Sequence, residues 1–254
     1  MKKFSLLLVM CLFAGAFFVN TTQAQESDDP GLIFLMEEFV APADMAEFWK
    51  VQQEAFDLFD ELDFNFTIWA YQTSENSFYW AMPMKNFAGI DRIYGDMMKY
   101  SQLMKENGYD GDAKFRDLSN ISQSVVMWNK ELSYHPEGVS DEGKGFHEWT
   151  FMYLKSGHEK EAADAAKKYM EFYKNIDSDY SWDIYQVVFG EHTPCWILEV
   201  QAESEAALRE TEDALMKEYR DDFRKLWQNM VQHVRTIETK KGWYLSAWSR
   251  QAEE

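Results

Sequence analysis

Apolar positions along this chain fall into two spacings that alternate. Leu32 to Val40, LIFLMEEFV, is too densely apolar for a half-exposed strand and reads as a strand covered on most of both faces. Pro42 then suits a first helical turn, where its missing N–H costs nothing. Met45, Phe48, Trp49, Gln52, Ala55, Phe56, Phe59 and Leu62 follow at three- and four-residue steps, with Glu47, Lys50, Glu54, Asp57 and Glu61 opposite, which predicts a helix of about 20 residues. Phe64 to Met84 returns to the two-residue spacing and predicts a hairpin turning at Ser74-Glu75-Asn76. Phe64, Phe66 and Ile68 face one way and Trp69 and Tyr71 the other, so this sheet needs cover on both sides. A second helix is expected from Asp91 to Glu106, stopping at Asn107-Gly108, and a fourth strand from Ile121 to Leu132.

Ser133 to Gly145, SYHPEGVSDEGKG, is rich in breakers and charge and reads as a linker. The order then restarts. His147 to Lys155 is a strand, Ser156-Gly157 a turn, and Glu159 to Asn175 a helix with Ala162, Ala163, Ala166, Tyr169, Met170 and Tyr173 inward. Ser181 to Val200 is a hairpin around Gly190-Glu191-His192-Thr193-Pro194. Ser204 caps a helix through Leu208, Leu215 and Tyr219 that continues, bent, through Phe223, Trp227 and Met230, and Trp243 to Arg250 is the last strand. One β-α-β-β-α-β unit is thus written twice, at 32–132 and 146–250, around the linker 133–145. Tyr71-Gln72 and Tyr185-Gln186 lie 114 residues apart, Trp80 and Trp196 lie 116 apart, and Trp128 and Trp248 lie 120 apart.

A β-α-β-β-α-β unit is the ferredoxin-like pattern, with both helices on one face of the sheet. Here the other face is apolar too, so two units can pack those faces together into an eight-stranded α+β barrel. Met152 to Tyr173, MYLKSGHEKEAADAAKKYMEFY, carries the strand, tight glycine turn, charged helix start and amphipathic helix. In this the chain resembles the dimeric α+β barrel superfamily, which includes antibiotic-biosynthesis-monooxygenase-like and NIPSNAP-like proteins. Pro42-Ala43, standing where the second unit has Ser156-Gly157, departs from the pattern. The resemblance implies an α+β fold with the two antiparallel sheets closing inside one chain. It leaves activity open, since the superfamily holds cofactor-free monooxygenases, haem-handling enzymes and members without known activity.

The ends and the charge narrow the setting. Lys2 and Lys3 precede an apolar run from Phe4 to Val19, and Thr22-Gln23-Ala24 ends it with small residues, as in a secretory signal peptide over 1–24. A secreted or periplasmic protein is expected, with 25–31 a flexible mature terminus and no membrane attachment after cleavage. Losing Lys2 and Lys3 leaves 23 basic against 44 acidic side chains, a net charge of −21. That surplus opposes nucleic acid, whose affinity rests on neutralising phosphates. It leaves one cysteine, Cys195, so no internal disulfide can staple the fold.

Candidate chemistry is sparse. There is no Gly-rich phosphate loop, no Gly-x-Ser-x-Gly elbow and no Cys-x-x-Cys, so no catalytic residue, metal site or cofactor is assigned. His158 opens a helix but Ala162 stands where a zinc helix needs its second histidine. His147, beside Glu148 and near Trp149, could line a cavity as a base or an axial haem ligand, or could sit at a strand end on the surface. His233 lies in a region without a counterpart in the first unit. The aromatic fraction, 17% with ten tryptophans, puts Trp69, Tyr71, Trp80, Trp149, Trp182, Tyr185 and Trp196 on strands, where they either pack a core or line a cavity between sheet and helices. Gln72 and Gln186 need partners there, from each other across the pseudo-twofold or from a ligand. The expectation is an exported, non-catalytic barrel, monomer or homo-oligomer, binding a small apolar or aromatic molecule or serving as an interaction module. The alternative is a cofactor-free monooxygenase or a haem-handling enzyme.

Overall fold

The computed structural model describes residues 31–140 and 143–252; the leader 1–24 and most of the expected mature terminus lie outside them. The first unit comprises β1 (Leu32–Val40), α1 (Met45–Glu61), β2 (Trp69–Thr73), β3 (Ser77–Met84), α2 (Gly89–Glu106), the single turn α3 (Gly111–Lys114) and β4 (Ser119–Trp128). The second comprises β5 (Phe146–Leu154), α4 (Glu159–Asn175), β6 (Asp183–Phe189), β7 (Cys195–Ala202), α5 (Glu205–Val231) and β8 (Val234–Tyr244), ending in a 3-10 turn at Ser246–Trp248. Ser204 caps α5 by accepting the Ala207 N–H, and α5 bends at Tyr219, whose backbone leaves helical geometry.

Every strand pair is antiparallel, in the closed order β1-β3-β2-β8-β5-β7-β6-β4. Each unit contributes four neighbouring strands in ferredoxin-like order, and the units meet at β2–β8 and β4–β6. Closure inside one chain gives every strand a neighbour on each side, although the junctions pair only Val125–Trp128 of β4 and Gly242–Tyr244 of β8. Alternation sorts the side chains. Ile33, Leu35, Tyr71, Tyr79, Val126, Trp149, Phe151, Tyr185, Val187, Cys195 and Ile197 meet inside the barrel. The outer face of the first unit packs Phe34, Phe78, Trp80 and Met82 under α1, and that of the second packs Met152, Trp182, Ile184 and Trp196 under α4 and α5.

The C-terminal strand differs from its expected position. It spans Val234–Tyr244, and Trp243 to Arg250 mostly lies beyond it. Its inward face carries charge: the Lys240 ammonium, 7% exposed, pairs with the Glu37 carboxylate of β1 at 2.6 Å, and the rings of Phe39, Tyr79 and Phe151 lie around it. A strand with glutamate and lysine inward shows no apolar alternation. Trp248 is therefore not the counterpart of Trp128; it leaves the sheet and enters the first unit's helix–sheet layer. The register also moves one tryptophan match. Gln72 pairs with Phe78 and Gln186 with Trp196, so Phe78, not Trp80, is the equivalent of Trp196.

Candidate functional site

The two units differ most between sheet and helices. In the first, Trp248 fills the layer. Its ring centroid lies 4.2 Å from that of Trp49, and it stacks at 5.9 Å on Phe56 and 6.0 Å on Trp80. Its indole N–H donates to Gln53 at 3.2 Å. In the second unit no such plug is present among the described residues, and a cavity of about 410 Å³ opens between the outer face of β5, β6 and β7 and the helices α4 and α5. Met152, Trp182, Ile184 and Leu198 form its floor, Ala166, Tyr169 and Tyr173 one wall, and Leu215, Met216, Phe223, Trp227 and Met230 the other. The bend at Tyr219 lets α5 contribute to that wall from both of its segments. Met216 and Trp227 are half exposed and mark the mouth. The Tyr180 hydroxyl donates to Glu212 at 3.2 Å, and burial raises the pKa of Tyr169, Tyr173 and Tyr180, so all three remain neutral donors.

A second cavity, about 680 Å³, lies inside the barrel at the end where β5 begins. Its chemistry centres on Glu199, 6% exposed on β7. One carboxylate oxygen accepts from His147 Nδ1 at 2.8 Å and from the Trp149 indole N–H at 2.9 Å. His147 is 4% exposed, lies over Trp149 with the rings 13° from parallel, and meets the edge of Tyr71 at 4.8 Å. Burial first, and the Glu199 charge second, push Tyr71 and Tyr185 well above the ordinary phenol range. Gly242 permits this packing: a β-carbon there would come within 2.5 Å of the Gln72 carbonyl oxygen and 2.7 Å of the Trp149 ring.

The structure brings together Trp69, Tyr71, His147, Trp149 and Tyr185 around the barrel cavity, while Trp182 lines the helix–sheet cavity. Trp80 is packed in the first unit and donates to Glu38 at 2.8 Å. Trp196 is buried beneath the second unit's helices, and its indole N–H has no partner among the described residues. Gln72 and Gln186 cannot meet, because β2 and β6 lie on opposite sides of the barrel. His233 sits at the far end from His147, its Nδ1 3.2 Å from that of His158.

No family model matches the chain, and no curated protein does. Solved structures match over nearly its whole length. An anthrone oxidase-like protein aligns at 10% identity with a TM-score of 0.59, covering 89% of this chain and 96% of its own. A candidate monooxygenase from Lactobacillus acidophilus aligns at 9% identity and 0.51, covering 88% and 98%. Another, from Fusobacterium nucleatum, aligns at 12% and 0.52, covering 87% and 96%. The fold is the dimeric α+β barrel. As a dimeric α+β barrel with both units in one chain, it has a helix–sheet layer to each side, one plugged and one open.

Haem needs an axial side chain and charge partners for two propionates. The helix–sheet cavity is lined by no histidine, by tyrosines held protonated, and by the acids Glu212 and Asp213, which does not fit haem. The barrel cavity offers His147, but the charged residues of its lining are one lysine, Lys144, and one acid, Glu199, a poor match for a dianion.

Sequence reasoning missed Glu199, the centre of the barrel site, and Tyr169, Tyr173, Phe223 and Trp227 as cavity walls. Glu199 had a signal: a lone carboxylate in the apolar run CWILEV must find a partner when buried. The cavity walls had none, since a cavity-lining stripe and a core-packing stripe have the same spacing.

Proposed function

We propose that this protein binds a small apolar or aromatic molecule in the helix–sheet cavity of its second unit. The observation that carries this is the contrast between the units. The same layer that Trp248 fills on one side is left open on the other, behind a mouth formed by Met216 and Trp227. About 410 Å³ suits a molecule of one or two rings. Apolar walls supply the affinity, at roughly 25 cal/mol per Å² buried, and neutral tyrosine hydroxyls orient one polar group. Glu212 is paired with Arg209, so Asp213, which has no ion pair among the described residues, is the acid at the same cavity that favours a neutral or cationic ligand over an anion.

The signal-like leader supports action outside the cytoplasm; amino-terminal sequencing of secreted material is expected to begin at Gln25. The names of the structural neighbours suggest oxidation of an aromatic substrate, and an aromatic-lined cavity is compatible with it. A haem version of that reading is checked by an absorption spectrum after haem addition, in which no Soret shift is expected.

The binding test is titration with 6-propionyl-2-(dimethylamino)naphthalene, a neutral two-ring probe whose fluorescence rises and shifts to the blue in apolar sites. The native chain is expected to bind it saturably, and Leu215→Trp, which fills the cavity, to bind at least about tenfold more weakly, a change of roughly 1.4 kcal/mol. Equal affinity in both proteins would overturn the assignment.

A further inference from the structure

The barrel cavity has polar geometry that the helix–sheet site lacks. Trp149 can only donate, so the Glu199 oxygen it meets at 2.9 Å is held as an acceptor, and the same oxygen takes the His147 Nδ1–H at 2.8 Å. This contact sets the tautomer. With its proton on Nδ1, neutral His147 carries a lone pair on Nε2, and Nε2 has no hydrogen-bond partner among the described residues. This ring nitrogen, on a side chain 4% exposed at the wall of a cavity of about 680 Å³, is open to a donor that enters the cavity. The surrounding walls are Trp69, Tyr71, Trp149 and Tyr185, which are planar and apolar across most of their area.

From this arrangement we infer that the barrel interior is a second binding site, for a small planar aromatic molecule whose hydroxyl donates to His147 Nε2. The hydroxyl proton passes to Nε2 as the ligand O–H bond breaks and the N–H bond forms, and no electrons change hands. The resulting imidazolium faces the Glu199 carboxylate, which stabilises it as it orients the neutral ring. The other titratable groups facing the site are the hydroxyls of Tyr71 on β2, Tyr79 on β3, Tyr185 on β6 and Tyr244 on β8, and Lys144 just before β5. Tyr71 and Tyr185 are held protonated by burial and by Glu199, so they do not compete for the proton. His147 is thus assigned as the proton acceptor, and Glu199 as its positioning residue.

The probe is 4-nitrophenol, whose phenolate absorbs at longer wavelength than the phenol. It is mixed with the full chain at about pH 7, near its own pKa, where roughly half is ionised in water and an ordinary histidine, pKa about 6.5, is mostly neutral. Most of the bound probe is expected to show the phenolate band, and 4-nitroanisole, the same ring without the hydroxyl proton, to bind at least about tenfold more weakly. His147→Gln should abolish the band in a chain that still folds by circular dichroism; should that variant not fold, the comparison of the two ligands on the native chain stands alone. Leu215→Trp should retain the band, which separates this site from the helix–sheet cavity. A bound spectrum of neutral phenol, or equal binding of 4-nitroanisole, would overturn the inference.

Discussion

Cys195 faces the barrel interior, where burial pushes its thiol up to about 12, with Glu238 adding to the effect and Arg235 opposing it. At pH 8 the native thiol is therefore expected to react with a disulfide reagent at least about a hundredfold more slowly than the same thiol in urea; a similar rate in both states would place Cys195 at the surface. Glu38 is a second informative residue. Burial holds its carboxyl above the ordinary carboxylate value, against hydrogen bonds from Ser119 at 2.5 Å and Trp80 at 2.8 Å. The folded chain keeps this proton to higher pH than the unfolded chain does. The group thus contributes stability below its unfolded pKa and loses that contribution as pH rises through the folded one. Urea midpoints of Glu38→Gln, relative to the native chain, should improve as pH rises from acid toward neutral. A difference that is constant with pH, or that runs the other way, would contradict the assignment.

Among the elements, β8 and the turn after it carry the least expected features. Gly242→Ala should cost about 1–3 kcal/mol, because the new methyl meets the Gln72 carbonyl and the Trp149 ring, and it should disturb the Glu199 site at the same time. Urea denaturation together with the nitrophenol band checks both effects; an unchanged midpoint would mean the sheet yields freely there. Trp248→Ala should cost about 3–5 kcal/mol by emptying the first unit's layer, and a loss below about 1 kcal/mol would show that it plugs nothing. These elements also mark where the sequence was readable. The stripes of α1 and α4 and the apolar hairpins were legible because each buries its own apolar face against one layer. β8 was not, because Glu238 and Lys240 point inward and find partners only once the barrel closes. The same holds for the barrel site: His147 and Trp149 could be named from the sequence, but Glu199 joins them only through the pairing of β5 with β7.

At the scale of the whole molecule, closure within one chain has a thermodynamic signature. Both junctions, β2–β8 and β4–β6, are intramolecular, so the melting temperature should not change over a hundredfold dilution. A melting temperature that falls on dilution would mean that the barrel draws on a second chain. The internal duplication has left one fold with two unlike helix–sheet layers, and the difference between them is the central claim. Methionines report on both layers: Met152, Met216 and Met230 line the open cavity, while Met36, Met82 and Met84 lie in the plugged layer. The most direct test is methyl NMR of the ¹³C-methionine-labelled protein during titration with a small neutral aromatic such as naphthalene. Saturable ring-current shifts are predicted at Met152, Met216 and Met230, with Met36, Met82 and Met84 unmoved. Shifts of equal size in both sets, or none in the first, would contradict the account.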